Sequence, residues 1–210
     1  MTRIKICGIT NSEDAACAAQ CGADALGFNF ADSPRRVEPA AARSIVAEVG
    51  PFITGVGVFV NGDPAYVCNT LATTGCTVAQ LHGDEGPEKL AELAPFTAIK
   101  VFRVRDQISE QRLLPFRHAR AILLDTYVPG VPGGSGQRFD HRVASDLVQR
   151  GWRVIVAGGL TPDSVCEVVQ AVRPYGVDVC SGVEAAPGRK DHPKIRDFIA
   201  AVRAADRESA

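Results

Sequence analysis

The chain has 210 residues, of which 46% are hydrophobic, so it can bury a large core and is short enough for about one domain. Its 23 Lys and Arg residues nearly balance 24 Asp and Glu residues, giving a formal net charge of -1. This balance excludes the general basic surface that binds nucleic acid or anionic membranes, so we expect neither partner and predict that any anion is held by local groups.

Short runs of β-branched and apolar residues alternate along the chain with segments whose apolar residues recur three and four positions apart. The runs predict eight strands, at residues 3–7, 25–30, 55–60, 78–82, 98–103, 121–125, 153–157 and 177–180. Their starts recur about every 20 to 30 residues, which leaves room for one helix between strands and none for an interdomain linker.

Helix signals occupy the segments between these strands. Glu38, Asp63 and Thr161 each stand directly before a proline, which is favoured at the first helical position, and the last two also offer a capping oxygen. Gly50 is expected to end the first of these three helices. Further helices are predicted at residues 11–21, 86–94, 106–114 and 140–149 and, from an apolar stripe, around residues 195–202.

Eight strand–helix units predict an α/β protein, a single (β/α)8-barrel domain over residues 1–210, near the lower size of about 200 residues for this fold. An open doubly wound sheet is the alternative. The first strand–helix turn, at residues 7–11, lacks the glycine fingerprint of a dinucleotide site, and eight near-equal units favour closure.

Apolar runs and cysteine spacing predict the compartment. The longest apolar runs, at residues 55–60 and 154–160, are far shorter than the roughly 20 residues that span a bilayer, and the first residues lack a secretory signal's apolar segment. Seven cysteines without a Cys-x-x-Cys pair argue against a disulfide framework and a zinc site. We therefore expect a cytoplasmic protein with reduced thiols and no metal.

Polar side chains at the C-terminal ends of barrel strands mark the expected active site. Cys7 ends the first strand, and alternation places Lys5 on the same inward face, while Asp178 faces inward from the eighth strand. We predict that Lys5 pairs with Asp178 beneath the site and that the cation favours the Cys7 thiolate. A structural ion pair below an ordinary buried cysteine is the alternative.

Asp125 ends the apolar sixth strand, where burial would raise the pKa of an unpaired carboxyl toward that of a useful acid. A capping aspartate is the alternative interpretation. The sixth strand of a closed barrel lies three strands from the first, so Cys7 and Asp125 are expected to face each other across the mouth. His82, at the end of the fourth strand, is predicted to line the mouth.

Glycine-bearing loops follow the last three strands, and the loops after strands 7 and 8 of this fold commonly bind phosphate through backbone N–H groups. Ordinary turns and helix caps are the alternative use of glycine. Arg35 and Arg36, beyond strand 2, either bind a carboxylate or reach solvent. The candidate phosphate-binding residues are Gly134, Ser135, Gly136, Gly158, Gly159, Ser181 and Gly182.

Motifs with the spacing of one known family occur along nearly the whole chain. They are KICGIT at 5–10, GADALGF at 22–28, SPRR at 33–36, VGVFVN at 56–61, QLHG at 80–83, LDT at 124–126, GGSG at 133–136, FD at 139–140, GGL at 158–160 and DVCSGVE at 178–184. In these segments the chain resembles the phosphoribosylanthranilate isomerase family of tryptophan biosynthesis. His141 stands where that family usually has tryptophan, and Cys180 where serine is more usual.

The resemblance implies a (β/α)8 barrel that converts N-(5-phosphoribosyl)anthranilate, a small phosphorylated substrate, into 1-(o-carboxyphenylamino)-1-deoxyribulose 5-phosphate without a cofactor. It implies that Asp125 is the general acid that opens the furanose ring to a Schiff base. Cys7 is implied as the general base that takes the proton from ribose C2. The anthranilate carboxylate is assigned to Arg36, with adjacent Arg35 as the other candidate, and the glycine loops are assigned to the 5′-phosphate.

Other functions and assembly states stay open at this point. A dual-specificity isomerase that also converts the related histidine-pathway aminoaldose is one alternative, but such barrels normally carry aspartate where this chain has Cys7. A non-catalytic phospho-ligand-binding barrel is another, and the presence of both Cys7 and Asp125 argues against it. Because the Cys180 thiol is a weak hydrogen-bonding group, we expect backbone donors to bind phosphate in its loop. Monomer and homodimer are both compatible with the sequence.

Overall fold

The computed structural model describes residues 1–104, 107–125 and 141–208. Its eight main strands are parallel and close into a barrel in chain order, with the last strand paired to the first. They are β1 (Arg3–Cys7), β2 (Ala25–Asn29), β3 (Thr54–Phe59), β4 (Val78–Leu81), β5 (Thr97–Arg103), β6 (Ala121–Asp125), β7 (Val154–Ala157) and β8 (Gly176–Val179). The predicted (β/α)8 barrel is confirmed, and the open sheet is excluded.

Helices connect successive strands on the outside of the barrel. They are α1 (Ser12–Cys21), α2 (Pro39–Val49), α3 (Pro64–Thr74), α4 (Lys89–Glu92), α5 (Glu110–Leu113), α6 (His141–Gln149), α7 (Pro162–Val172) and α8 (His192–Glu208). The three predicted proline starts are confirmed, and the Asp63 carboxylate accepts hydrogen bonds from the Ala65 and Tyr66 N–H groups at 2.9 and 3.3 Å. Among the described helices, none is both long and apolar enough to cross a membrane.

Two of the predicted helices are much shorter than expected. The segment at 86–94 forms only α4, because Pro87 and Pro95 leave room for at most about two turns and the residue before a proline disfavours the helical conformation. The segment at 106–114 forms α5, which continues into a 3-10 turn at Leu114–Phe116. A short antiparallel hairpin, β9 (Glu184–Ala186) and β10 (Arg189–Lys190), follows the barrel and was not predicted from the sequence.

Alternation of side chains along the strands separates two apolar regions. Ile4 and Ile6 are fully buried in the layer between the barrel and its helices. Val101, Leu123 and Ile155 pack inside the barrel. Because this interior is filled, polar groups that end the strands are held on a rigid rim at the C-terminal end of the barrel.

Candidate active site

An ion pair lies beneath the mouth of the barrel. Lys5 Nζ donates a hydrogen bond to Asp178 Oδ1 at 2.9 Å, and the two side chains are only 5% and 8% exposed. Burial raises the pKa of Asp178 to about 6, although Lys5 opposes the shift. Burial alone would lower the pKa of Lys5, but the charges of Asp178 and Cys7 raise it above its ordinary value. The predicted pair is therefore present, and its lysine is cationic at neutral pH.

Cys7 ends β1 above this pair and is half-buried. Gly27 lies level with it on β2, and a Cβ there would lie 2.7 Å from Cys7 Sγ and 2.9 Å from Lys5 Nζ, so a glycine leaves the space that both groups occupy. The pKa of Cys7 is lowered well below its ordinary value, and interaction with the Cys180 thiol is the largest cause. Burial acts in the opposite direction and raises this pKa, whereas the positive charges of Lys5 and Lys190 lower it further. This environment favours the thiolate that a general base requires.

A charged cluster borders Cys7 on the β8 side. The Lys190 side chain is fully buried, and its Nζ donates hydrogen bonds to Glu184 Oε1 and to the Cys180 carbonyl oxygen, each at 3.1 Å. Arg35 donates two hydrogen bonds to the Glu184 carboxylate, Nε to Oε1 at 2.8 Å and Nη2 to Oε2 at 2.7 Å. The strand-end pattern does not select Glu184 or Lys190, because both lie in the β9–β10 hairpin. Its Pro-Gly turn is the signal that could have found them.

The two candidate arginines have different surroundings. The Arg35 guanidinium is held by its bidentate pair with the buried Glu184 carboxylate. The Arg36 side chain is 52% exposed, and its Nη2 lies 3.5 Å from Glu38 Oε1 in a pair that is itself exposed. Exposed pairs of this kind contribute little stability, so the Arg36 guanidinium is the one that can turn toward a ligand.

Asp125 ends β6, three strands from β1 around the closed barrel. His82 Nε2 lies 3.2 Å from Asp125 Oδ2, and Gln80 Nε2 lies 3.3 Å from His82 Nδ1. An amide nitrogen only donates, so Nδ1 accepts and Nε2 carries the proton that His82 donates to Asp125. The sequence places His82 at the mouth, but strand spacing alone does not reveal that its side chain reaches Asp125.

The loops after β7 and β8 lie against each other. Gly158 and Gly159 have φ of +88° and +64°, in the left-handed region that favours glycine. A Cβ on Gly182 would collide with the carbonyl oxygen of Leu160, so glycine permits the close approach of the two loops. Ser181 begins a 3-10 turn beside it. Three other predicted phosphate-binding residues, Gly134, Ser135 and Gly136, lie outside the described residues.

The fold is that of a (β/α)8-barrel enzyme, with a thiol and a carboxyl group at the ends of strands three places apart and adjoining glycine loops beside them. Residues 4–201 match the family of N-(5′-phosphoribosyl)anthranilate (PRA) isomerases. The N-(5′-phosphoribosyl)anthranilate isomerase of Geobacter metallireducens is 51% identical over 207 residues, which cover 97% of this chain and 100% of that protein. The chain belongs to the PRA isomerase family, as its sequence motifs predict.

Solved structures agree with this assignment. The phosphoribosyl anthranilate isomerase of Thermotoga maritima has a TM-score of 0.90 and 41% identity, covering 97% of this chain and 100% of that one. A second structure of that protein, described as monomers generated from the dimeric isomerase, has a TM-score of 0.86 and 37% identity with the same coverage, 97% and 100%. A phosphoribosyl anthranilate isomerase in complex with reduced 1-(o-carboxyphenylamino)-1-deoxyribulose 5-phosphate has a TM-score of 0.87 and 38% identity, with coverage of 97% and 100%.

Proposed function

We propose that this chain converts N-(5′-phosphoribosyl)anthranilate into 1-(o-carboxyphenylamino)-1-deoxyribulose 5-phosphate in tryptophan biosynthesis, with Cys7 as general base and Asp125 as general acid. The proposal rests on one observation above all, a cysteine whose surroundings favour the thiolate, on the strand three places from the one that carries Asp125. The relative solved with the reduced reaction product supports the choice of substrate.

Ring opening is the first step of this chemistry. Asp125, as a carboxylic acid, gives its proton to the furanose ring oxygen while the C1–O bond breaks, because an alkoxide is a poor leaving group. The nitrogen lone pair forms the C1=N bond of a protonated Schiff base, and the ring oxygen becomes the C4 hydroxyl. The hydrogen bond from His82 Nε2, 3.2 Å from Asp125 Oδ2, stabilises the carboxylate that remains.

Proton removal from carbon is the second step. The Cys7 thiolate takes the C2 proton, the C–H electron pair forms the C1=C2 bond, and the C1=N electrons return to nitrogen. The product is a neutral enolamine, which becomes the ketone when the C2 hydroxyl loses a proton and C1 gains one. The positive charge of the Schiff base makes the C2 proton acidic enough for a thiolate to remove it.

The two anionic groups of the substrate require separate binding sites. Backbone N–H groups of Gly158, Gly159, Ser181 and Gly182 bind the 5′-phosphate, since glycine lets a phosphate approach the backbone closely. Arg36 binds the anthranilate carboxylate, because the guanidinium of Arg35 is already held by Glu184.

Turnover of freshly prepared phosphoribosylanthranilate by the purified protein, followed through the change in anthranilate fluorescence, tests this function. We expect conversion of this substrate and none of the related histidine-pathway aminoaldose. Conversion of both would favour the dual-specificity isomerase. Binding of phosphoribosylanthranilate without conversion, by a protein with an intact far-UV circular dichroism spectrum, would favour the non-catalytic barrel.

A homodimer built through the N-terminal ends of two barrels is the assembly that we propose. A cavity of about 420 Å³ opens at this end and is lined by Arg3, Thr54 and Thr97, the first residues of their strands. Phe52 also lines it, and its side chain is 95% exposed, so it is free to contact a second copy. In a two-fold pair Phe52 of each copy enters the cavity of the other. The description of the Thermotoga maritima relative as dimeric supports a dimer, without indicating which surfaces meet.

A further inference from the structure

We infer that Cys180 is a positioning residue for Cys7: its S–H, held in place by buried Lys190, donates a hydrogen bond to the Cys7 sulfur and so favours the thiolate. This inference rests on the proposed role of Cys7 as the general base. It assigns a function to a position at which the chain departs from the serine that its family resemblance predicts.

Strand register brings the two sulfurs together. Ile6 on β1 is level with Val179 on β8, so Cys7 and Cys180 are the next residues on neighbouring parallel strands, which lie about 4.8 Å apart. At this spacing the two side chains can reach each other across the strand pair. Gly8 leaves room for this contact, because a Cβ at that position would lie 3.0 Å from Cys180 Sγ.

The direction of the hydrogen bond follows from the competing acceptor. Cys180 Sγ also lies 3.9 Å from Glu184 Oε1, the acceptor that competes with Cys7 for the thiol proton. That oxygen already accepts N–H groups from Arg35 at 2.8 Å, Lys190 at 3.1 Å and Gly188 at 3.3 Å. Its lone pairs are therefore occupied, and the Cys180 proton is left for Cys7.

Lys190 strengthens the same arrangement. Its Nζ lies 3.9 Å from Cys180 Sγ and donates toward it. A donor on the sulfur polarises the S–H bond, and consecutive hydrogen bonds reinforce one another in a low-dielectric site. The mutual contact raises the pKa of Cys180 and lowers that of Cys7, so the pair holds its proton on Cys180 and its negative charge on Cys7.

Several other charged or titratable groups influence Cys7 directly or through its neighbours, and each comes from a different part of the barrel. They are Lys5 of β1, Arg35 after β2, His82 after β4, Asp178 of β8, Glu184 of β9 and Lys190 of β10. Substitutions at position 180 do not change any of these six charged or titratable residues. A difference between such variants therefore reports the contribution of the Cys180 donor.

Two substitutions of Cys180 distinguish the effect of its hydrogen-bond donor from the effect of a smaller side chain. Cys180→Ser keeps an O–H donor, whereas Cys180→Ala removes it. Cys166→Ala, on α7, makes the same chemical change in a thiol outside the cluster and serves as the control. The readout is the rate of alkylation of Cys7 by iodoacetamide between pH 5 and 9, resolved by peptide mass spectrometry on the full chain, since only the thiolate reacts.

We expect Cys180→Ala to raise the alkylation midpoint of Cys7 by about one pH unit, which means about tenfold less thiolate below the midpoint. The pH at which kcat/KM falls on the acid side of its profile should rise by the same amount, while KM stays close to the parent value. Cys180→Ser and Cys166→Ala should both keep the parent midpoint.

An unchanged midpoint in Cys180→Ala, or an equal rise in Cys180→Ser, would overturn the inference. If Cys180→Ala loses its circular dichroism spectrum, Cys180→Val replaces it, because valine also lacks a donor and fills more of the space. The alkylation readout needs no turnover, so a parent protein that fails to isomerise phosphoribosylanthranilate contradicts the proposed function and still leaves this test decisive.

Discussion

Lys5 and Asp178 lie in the same register on neighbouring strands and share a buried hydrogen bond of 2.9 Å beneath Cys7. Their charges act on the Cys7 sulfur in opposite directions. Lys5 lowers its pKa. The charge of Cys7 raises the pKa of Asp178, and because repulsion between two anions is mutual, the carboxylate opposes the thiolate. The pair therefore limits how far the cation alone can lower the pKa of the base.

Replacing each charge separately tests this opposition. Lys5→Met should raise the pKa of Cys7 and move the acid limb of kcat/KM to higher pH, because the thiolate loses its neighbouring cation. Asp178→Asn should move the limb to lower pH, because a neighbouring anion is lost. The pH dependence of kcat/KM between 5 and 9 measures both, and shifts in the same direction would contradict the account.

The same two variants should also destabilise the fold. Each leaves a buried charge without its partner, which typically costs about 3–5 kcal/mol of unfolding free energy. Urea unfolding of both single variants and of the Lys5→Met/Asp178→Asn double variant measures this cost. The double variant should lose less than the two single losses added together, and simple additivity would show that the side chains do not interact.

Arg36 and Arg35 are distinguished by kinetics and stability. Arg36→Met should raise KM for phosphoribosylanthranilate by about tenfold or more with a small change in kcat, because a charge-assisted contact to the carboxylate is lost. Arg35→Met should instead lower the unfolding free energy by roughly 2 kcal/mol or more, because Glu184 loses its bidentate partner. Steady-state kinetics and urea unfolding of both variants provide the comparison. A rise in KM confined to Arg35→Met would transfer the carboxylate site to Arg35.

Gly159 tests the phosphate site with two substitutions of almost equal shape. Its φ is +64°, a region that Asn and Asp tolerate better than other side chains, and a Cβ there would have no described atom within 4 Å. Gly159→Asp should raise KM far more than Gly159→Asn, because its carboxylate repels the phosphate. Steady-state kinetics at low ionic strength measures the difference, and equal KM values in the two variants would count against this loop as the phosphate site.

Much of this architecture is predictable from the sequence, because regular spacing and alternation encode a barrel. The proline starts of α2, α3 and α7 and the inward position of Lys5 follow from local rules. The contacts made by the ends of long side chains are not predictable in this way. The contact of His82 with Asp125 and the enclosure of Lys190 beside Cys180 depend on how loops from separate strands pack, and residue order alone does not encode those distances.

Phe52 tests the proposed homodimer. Phe52→Glu should yield monomers, because burying an unpaired carboxylate in the other copy's cavity is unfavourable. Leu114→Glu makes the same kind of change at another exposed apolar residue, 48% exposed, and should leave the assembly intact. Sedimentation velocity of the parent and both variants measures the mass. A monomeric parent, or a dimer that survives Phe52→Glu, would contradict the assembly.

Turnover of phosphoribosylanthranilate by Cys7→Ala and Asp125→Asn is the most direct test of the acid–base pair. Both variants should keep the far-UV circular dichroism spectrum of the parent, and each should lose about 10²-fold or more in kcat, because one proton transfer loses its donor or acceptor. A kcat within a few-fold of the parent in either variant would contradict the role of that residue.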